Sequence, residues 1–172
     1  MIACIIIMSI SAFFVFYAMI GYPVLLLLIN KIKKPKTIQK NYDYEPSISY
    51  MIVAHNEEKC IRKKLLNILE LNYPLEKVQV LVASDFCTDK TDAIVEAFAL
   101  EHPELTIVLN KSKEHKGKTN AQNETQKLAS GEILVMTDAN SIFERNALRE
   151  LVACFIDEDV WYVCGQLKYS NE

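Results

Sequence analysis

The sequence predicts a mainly parallel α/β sheet preceded by one membrane-crossing helix, on three observations. All charged residues lie after Asn30. Beyond residue 46, short apolar β-branched runs alternate with stretches of helical spacing. Acidic and amide residues recur just past the ends of three of those runs. With 51% hydrophobic and 24% charged residues, the 172-residue chain is neither a disordered polymer nor a collagen-like fibre.

From Ile2 to Ile29 the only interruptions are Ser9, Ser11, Gly21 and Pro23, and about 20 apolar residues suffice to cross a bilayer. A cleaved signal peptide would need a basic start and a small-residue cleavage site, which this stretch lacks. Residues 1–30 are therefore read as a transmembrane helix, with a kink or early end at Gly21 and Pro23. Lys31, Lys33, Lys34, Lys36 and Lys40 follow directly. An excess of lysine marks the cytoplasmic side, so a single-pass protein of the cell membrane with a cytoplasmic domain is expected. The same lysines could also attract anionic lipid headgroups. Residues 31–46, bracketed late by Pro35 and Pro46, are read as a basic juxtamembrane linker, and 47–172 as the domain.

Ser47 to Ala54 reads as the first strand, followed by Asn56, Glu57 and Glu58, which suit a helix start. Ile61, Leu65, Ile68 and Leu69 then recur at helical spacing, ending near Asn72-Tyr73-Pro74. The alternation continues with a strand at Val78 to Ser84 and a helix near Asp89 to Glu101. Next come a strand at Leu105 to Asn110 and a helix near Asn120 to Ser130, then a strand at Glu132 to Thr137 and a helix near Glu144 to Ile156. Val160 to Cys164 is expected as a fifth strand. Strands alternating with helices imply βαβ units, and such sheets bind ligands at the carboxyl ends of their strands.

Those ends carry Ala54-His55-Asn56-Glu57-Glu58, Ser84-Asp85-Phe86-Cys87-Thr88-Asp89 and Thr137-Asp138-Ala139-Asn140-Ser141. Taken singly, Asp85, Asp89 and Asn140 read as helix N-caps. Converging on one rim, the acids repel one another unless a hard divalent cation with oxygen ligands sits between them.

The order and spacing of VAHNEE, VASDFCTDKT, HKGKTNAQN, GEILVMTDAN and VCGQL resemble the nucleotide-binding half of family 2 glycosyltransferases, which have the GT-A fold. The resemblance spans Ile48 to about Leu167. It implies that Ala54 offers backbone contacts to uridine, that Glu57 lies near the base or ribose, and that Asp85 hydrogen-bonds uracil. It also implies that Asp138 and Asn140, in the D-x-D-like motif, hold Mg²⁺ or Mn²⁺ against the diphosphate, with Lys118 contacting the donor. Two departures stand out. Phe86 replaces a glycine, which matters if the turn needs positive φ, and Asn140 replaces an acid, supplying an oxygen without charge.

The implied function is inverting transfer of a sugar from a nucleotide-diphosphate sugar, a uridine one, to a glycan or lipid-linked acceptor, as in polysaccharide synthesis. In that family the general base lies beyond the VCGQL-like strand, so no catalytic residue is assigned and the chain is read as ending before the acceptor half. The alternative is a non-catalytic remnant or split-enzyme subunit that binds donor or a partner chain without turnover. Enzymatic activity is accordingly left open, as is a second chain supplying the acceptor half.

Other classes fit less well. A P-loop would need a glycine where Ser112 stands, and no G-x-G-x-x-G follows the first strand. A net charge of −3 gives no reason to expect nucleic acid as a partner. The five cysteines are scattered without a C-x-x-C pair, so reduced thiols are expected, Cys87 as a small buried residue. His55, His102 and His115 are too dispersed in sequence to suggest a metal site.

Overall fold

The computed structural model describes residues 2–32 and 37–168. Lys33, Lys34, Pro35 and Lys36 of the expected basic linker lie outside the described residues. The chain divides into two units, Met1–Ile38 and Gln39–Glu172.

The first unit is one 31-residue helix, Ile2–Ile32. It consists of α1 (Ile2–Phe16), a π-helical turn (Tyr17–Gly21) and α2 (Tyr22–Ile32). At 1.5 Å per residue it is about 46 Å long, more than the roughly 30 Å of a bilayer's hydrocarbon core. Its apolar side chains are exposed all round. It is therefore long and apolar enough to cross a membrane, by length and composition. The interruption expected at Gly21 and Pro23 takes the form of a wider turn, with Tyr22 N–H donating to Tyr17 O. Proline lacks the N–H of an α-helical turn and crowds the carbonyl four residues back, and a π-turn just before it accommodates both.

The second unit holds a four-stranded parallel sheet of order β3-β2-β1-β4. Its strands are β1 (Ile48–Ala54), β2 (Val78–Ser84), β3 (Thr106–Lys111) and β4 (Ile133–Asp138). The helices are α3 (Ile61–Leu69), α4 (Thr91–Glu101), α5 (Lys118–Thr125) and α6 (Ala147–Val152). Strand β1 is buried along its whole length because it lies between two neighbours and under helices on both faces. Side chains alternate across it. Ile48, Tyr50 and Ile52 join the main core with Leu65, Ile68, Phe98 and Leu148, while Val53 meets Ala83 and Ala121 of α5.

The register brings the strand ends level: Ala54 pairs with Ser84, Ser84 with Lys111, and Val53 with Asp138. Gly131 enters β4 so close to β1 that an added Cβ would stand 2.4 Å from Ile48 C and Ser49 N. Part of the expected linker packs on this unit. Asn41 N–H donates to Ala153 O, Tyr73 Oη to Pro46 O, and Arg149 to both Tyr42 O and Glu45.

Three boundaries differ from expectation. Helix α3 begins at Ile61, after a turn in which Cys60 and Ile61 N–H both bond to Glu57 O. Helix α5 starts at Lys118 and gives way to a 3₁₀ turn at Gln126–Leu128, and α6 spans only Ala147–Val152 before a 3₁₀ turn. The fifth strand is absent among the described residues: Val160 to Cys164 makes no ladder, and Trp161 and Tyr162 are 89% and 81% exposed. An apolar run supplies only propensity, and a strand exists where a neighbouring edge completes its hydrogen bonds.

Candidate functional site

The rim at the carboxyl ends of β1, β2 and β4 gathers most of the residues singled out from sequence. After β1 the chain turns through Asn56 at φ 56°, and after β2 through Phe86 at φ 54°. Asparagine tolerates this left-handed conformation, whereas phenylalanine is strained in it. The glycine expected at position 86 is thus missing where the backbone favours it. Asn56 Oδ1 accepts from Thr88 N–H at 2.8 Å, and Cys87 Sγ accepts from Asn56 N–H, so the two turns brace each other. Asp89 accepts from Thr91 N–H and Oγ1 and from Glu58 N–H, an Asx-turn leading into α4.

Asp85 is 2% exposed. One carboxylate oxygen accepts Lys116 N–H at 3.3 Å, and the other lies 2.9 Å from His115 Nδ1. His55 Nδ1 contacts Asp85 O at 2.6 Å, and the two imidazole rings sit 4.5 Å apart. Histidines 60 positions apart in sequence therefore meet at one aspartate, His115 at its carboxylate and His55 at its carbonyl, although the sequence spacing suggested no metal site; His102 does not join them. The ligand atoms of His55, Asp85 and His115 lie within 4.8 Å of one another.

At the end of β4, Asp138-Ala139-Asn140-Ser141 forms a turn closed by Ser141 N–H to Asp138 O. Lys118, at the start of α5, pairs with the Asp138 carboxylate. Gly117, at φ 87°, gives the chain its entry into that helix. Beneath the turn lies Lys64 of α3, fully buried. Its ammonium donates to Ser141 O at 2.7 Å and Thr137 Oγ1 at 3.0 Å, over the rings of Phe143 and Tyr50. Burial pushes its pKa down to about 8, against the favourable charge of Asp138. Asn67, one turn along α3, bonds both N–H and C=O of Phe143.

Of the expected site residues, Asp85, Lys118, Asp138 and Asn140 stand on this rim, Asp138 and Lys118 in direct contact. Ala54 is buried, and its carbonyl accepts from Asp85 N–H. Glu57 is half-buried, with its N–H bonded to Thr91 Oγ1. Lys64 and Lys116 were not singled out from sequence, and His55 and His115 were set aside there as too dispersed. For Lys64 the signal was there: position 64 lies three residues after Ile61 and four before Ile68, beside the apolar face of α3.

Two sets of ligands could hold a cation. Asp138 and Asn140 offer a carboxylate and an amide oxygen, hard donors suited to Mg²⁺ or Mn²⁺. Both are exposed, and Lys118 already places a positive charge on Asp138, which a divalent cation there would displace. The residues thus fit such an ion. The His55, Asp85 and His115 set, with two imidazoles, suits a softer transition metal.

The model of the glycosyl transferase family 2 matches residues 49–172. The chain is 31% identical over 139 residues to a beta-monoglucosyldiacylglycerol synthase of Nostoc sp., covering 80% of this chain and 30% of the synthase. A mannosyltransferase from Pyrobaculum calidifontis in complex with GDP-Man and Mn²⁺ superposes with a TM-score of 0.75 at 34% identity, covering 84% of this chain and 43% of that one. S. aureus TarS 1–349 in complex with UDP-GlcNAc gives a TM-score of 0.58 at 26% identity, covering 65% and 31%. The chain thus spans less than half the length of each of these proteins.

Proposed function

Because the chain belongs to glycosyl transferase family 2, we propose that its α/β unit binds a nucleotide-diphosphate sugar at the rim formed by β1, β2 and β4. The observation that carries this reading is the convergence of Asp85, Asp138 and the Lys116 to Lys118 loop at the carboxyl ends of adjacent parallel strands. Parallel α/β sheets place ligands there.

In this reading Asp85 selects the base. It accepts an N–H from the pyrimidine or purine edge when the exposed His115 ring swings away from its carboxylate. Ala54 and Glu57 line the nucleoside side. Asp138 and Asn140 hold Mg²⁺ or Mn²⁺, which supplies positive charge to the diphosphate. Lys118, released from Asp138, turns to the phosphate oxygens and stabilises the charge that develops on them as the sugar leaves. The complexes of the Pyrobaculum and S. aureus proteins, with GDP-Man and UDP-GlcNAc respectively, support a nucleotide sugar as the ligand class. Uridine is the base the Asp85 motif favours, and guanosine is the competitor.

For the whole protein we propose inverting transfer. The acceptor hydroxyl attacks the anomeric carbon, its proton passes to a carboxylate, and the nucleoside diphosphate departs. No residue of this chain is assigned as that base. The helix Ile2–Ile32 is read as a single-pass anchor with the α/β unit on the cytoplasmic side, which sets the site beside a lipid-borne acceptor. The exposed Trp161 and Tyr162 offer apolar surface against which an acceptor half would pack, and the alternative assembly is one in which a second chain supplies that half.

The test is thermal unfolding of the full chain in detergent micelles with Mn²⁺ and either UDP-GlcNAc or GDP-mannose. A ligand at about 100 times its Kd adds about 2.7 kcal/mol, a readily measured rise in Tm. The reading expects one of the two to raise Tm in the wild type but not in Asp85→Ala. A folded wild type that responds to neither, across millimolar concentrations, overturns it.

A further inference from the structure

We infer that Lys64 is a positioning residue that holds the Asp138-Ala139-Asn140 turn in its cation-binding shape, by tying the end of β4 to the far side of the turn from beneath. This inference rests on the proposed role of that turn in donor binding.

Three observations lead to it. First, the ammonium is fully buried yet donates to groups on both sides of the turn, Thr137 Oγ1 before it and Ser141 O after it, at 3.0 and 2.7 Å. Burying an amine is costly unless it does something apolar packing cannot, and apolar residues of similar volume would serve the core equally well. Secondly, the turn's own closure runs through the same atoms. Thr137 Oγ1 and Ser141 Oγ lie 2.7 Å apart, and Ser141 Oγ and N–H both donate to Asp138 O. Lys64 thus reaches this strand and turn from a separate element, α3, and bonds groups at both ends of the turn. Thirdly, the anchoring is one-sided and rigid. Ala139 is buried, and Asn67, on the same face of α3, fixes the continuing chain through both backbone groups of Phe143. The two exposed ligating side chains, Asp138 and Asn140, are therefore carried on a backbone whose shape α3 determines.

The consequence concerns affinity. Without Lys64 the turn keeps its internal bonds and the Asn67 anchor at Phe143 but loses its direct tie to α3, so Asp138 and Asn140 must be ordered further when the cation binds. Loss of one charged hydrogen bond of this kind corresponds to roughly a tenfold or greater fall in affinity. Lys64→Met keeps an unbranched side chain one atom shorter, without the ammonium, and suits the cage of Tyr50 and Phe143.

The experiment uses the full chain in detergent micelles. Mn²⁺-dependent binding of UDP-GlcNAc and GDP-mannose is measured by calorimetry for the wild type, Lys64→Met, Thr137→Val and the double variant. Amide hydrogen exchange of residues 138–142 and Tm are followed in parallel. The inference expects Lys64→Met to lower affinity about tenfold at a Tm near that of the wild type, with exchange of 138–142 faster. It also expects the double variant to lose less than the product of the single losses. An unchanged affinity together with unchanged exchange in a folded Lys64→Met overturns it. A fall in Tm with affinity unchanged per folded molecule likewise overturns it, reducing Lys64 to a core residue. If the wild type binds neither nucleotide sugar, the donor reading fails by itself. Hydrogen exchange of 138–142 then decides for Lys64, with wild-type protection lost in Lys64→Met and in Thr137→Val as the supporting result.

Discussion

Replacing Lys64 by methionine should change how stability depends on pH. The folded-state pKa of Lys64 is lowered from 10.5 to about 8, because burial penalises the charged amine more than Asp138 favours it. Below about pH 8 both folded and unfolded chains hold the proton, and the cost of burying the charge is present in full. As pH rises through the folded pKa the native state releases the proton first, so the unfolded chain binds more protons and stability increases with pH. The gain ends near 10.5, where the unfolded lysine also titrates. Between about pH 7.5 and 9.5 the gain comes to about 2 kcal/mol, at 1.36 kcal/mol for each pH unit between the two pKa values. The window stops short of about pH 10 because Tyr73, raised to about 12 by burial, then works in the opposite direction. Urea unfolding of the full chain in detergent, followed by circular dichroism at both pH values, isolates the contribution. Other groups titrate equally in wild type and Lys64→Met. At the lower pH the two should agree within about 1 kcal/mol, since the variant loses hydrogen bonds and a buried charge together. At the higher pH the wild type should lead by about 2 kcal/mol more. Parallel pH dependence of the two proteins would mean that Lys64 does not release its proton in the folded state ahead of the unfolded one.

Other substitutions test the frame around the site. Phe86→Gly relieves a left-handed backbone and should raise stability by up to about 1 kcal/mol in urea, a modest gain because glycine also loosens the unfolded chain. Gly131→Ala drives a Cβ to 2.4 Å from the β1 backbone and should cost more than about 3 kcal/mol, read as loss of cooperative unfolding or of the folded fraction. Arg149→Leu removes bonds to Tyr42 O, Asn72 O and Glu45, which should cost about 2 kcal/mol and speed proteolytic cleavage between residues 39 and 46.

Much of this was legible in sequence because the signals are local. Four strands appear as apolar runs and their helices as 3.6-residue spacing, and parallel order follows from the alternation. Asp85, Asp138 and Asn140 could be located because they stand at or just past strand ends, whereas Lys118 was reached through the resemblance of its loop. Non-local features were harder to read. His55 and His115 meet only because β1 lies beside β2 and the loop after β3 folds back to Asp85, a pairing that no spacing encodes. The run from Val160 to Cys164 has a strand's composition, but its outcome depends on an available edge. Lys64 was visible as a charge on an apolar helix face, and its meaning came only with Thr137 and Ser141 above it.

The most direct test of the donor site is calorimetric titration of UDP-GlcNAc and GDP-mannose into the full chain, with Mn²⁺ present and then chelated, beside Asp138→Ala. Binding of one nucleotide sugar is expected to need the cation and to be lost in Asp138→Ala. Equal binding in a folded Asp138→Ala would contradict the proposed donor site, as would a Mn²⁺ requirement abolished by His115→Ala but untouched at Asp138.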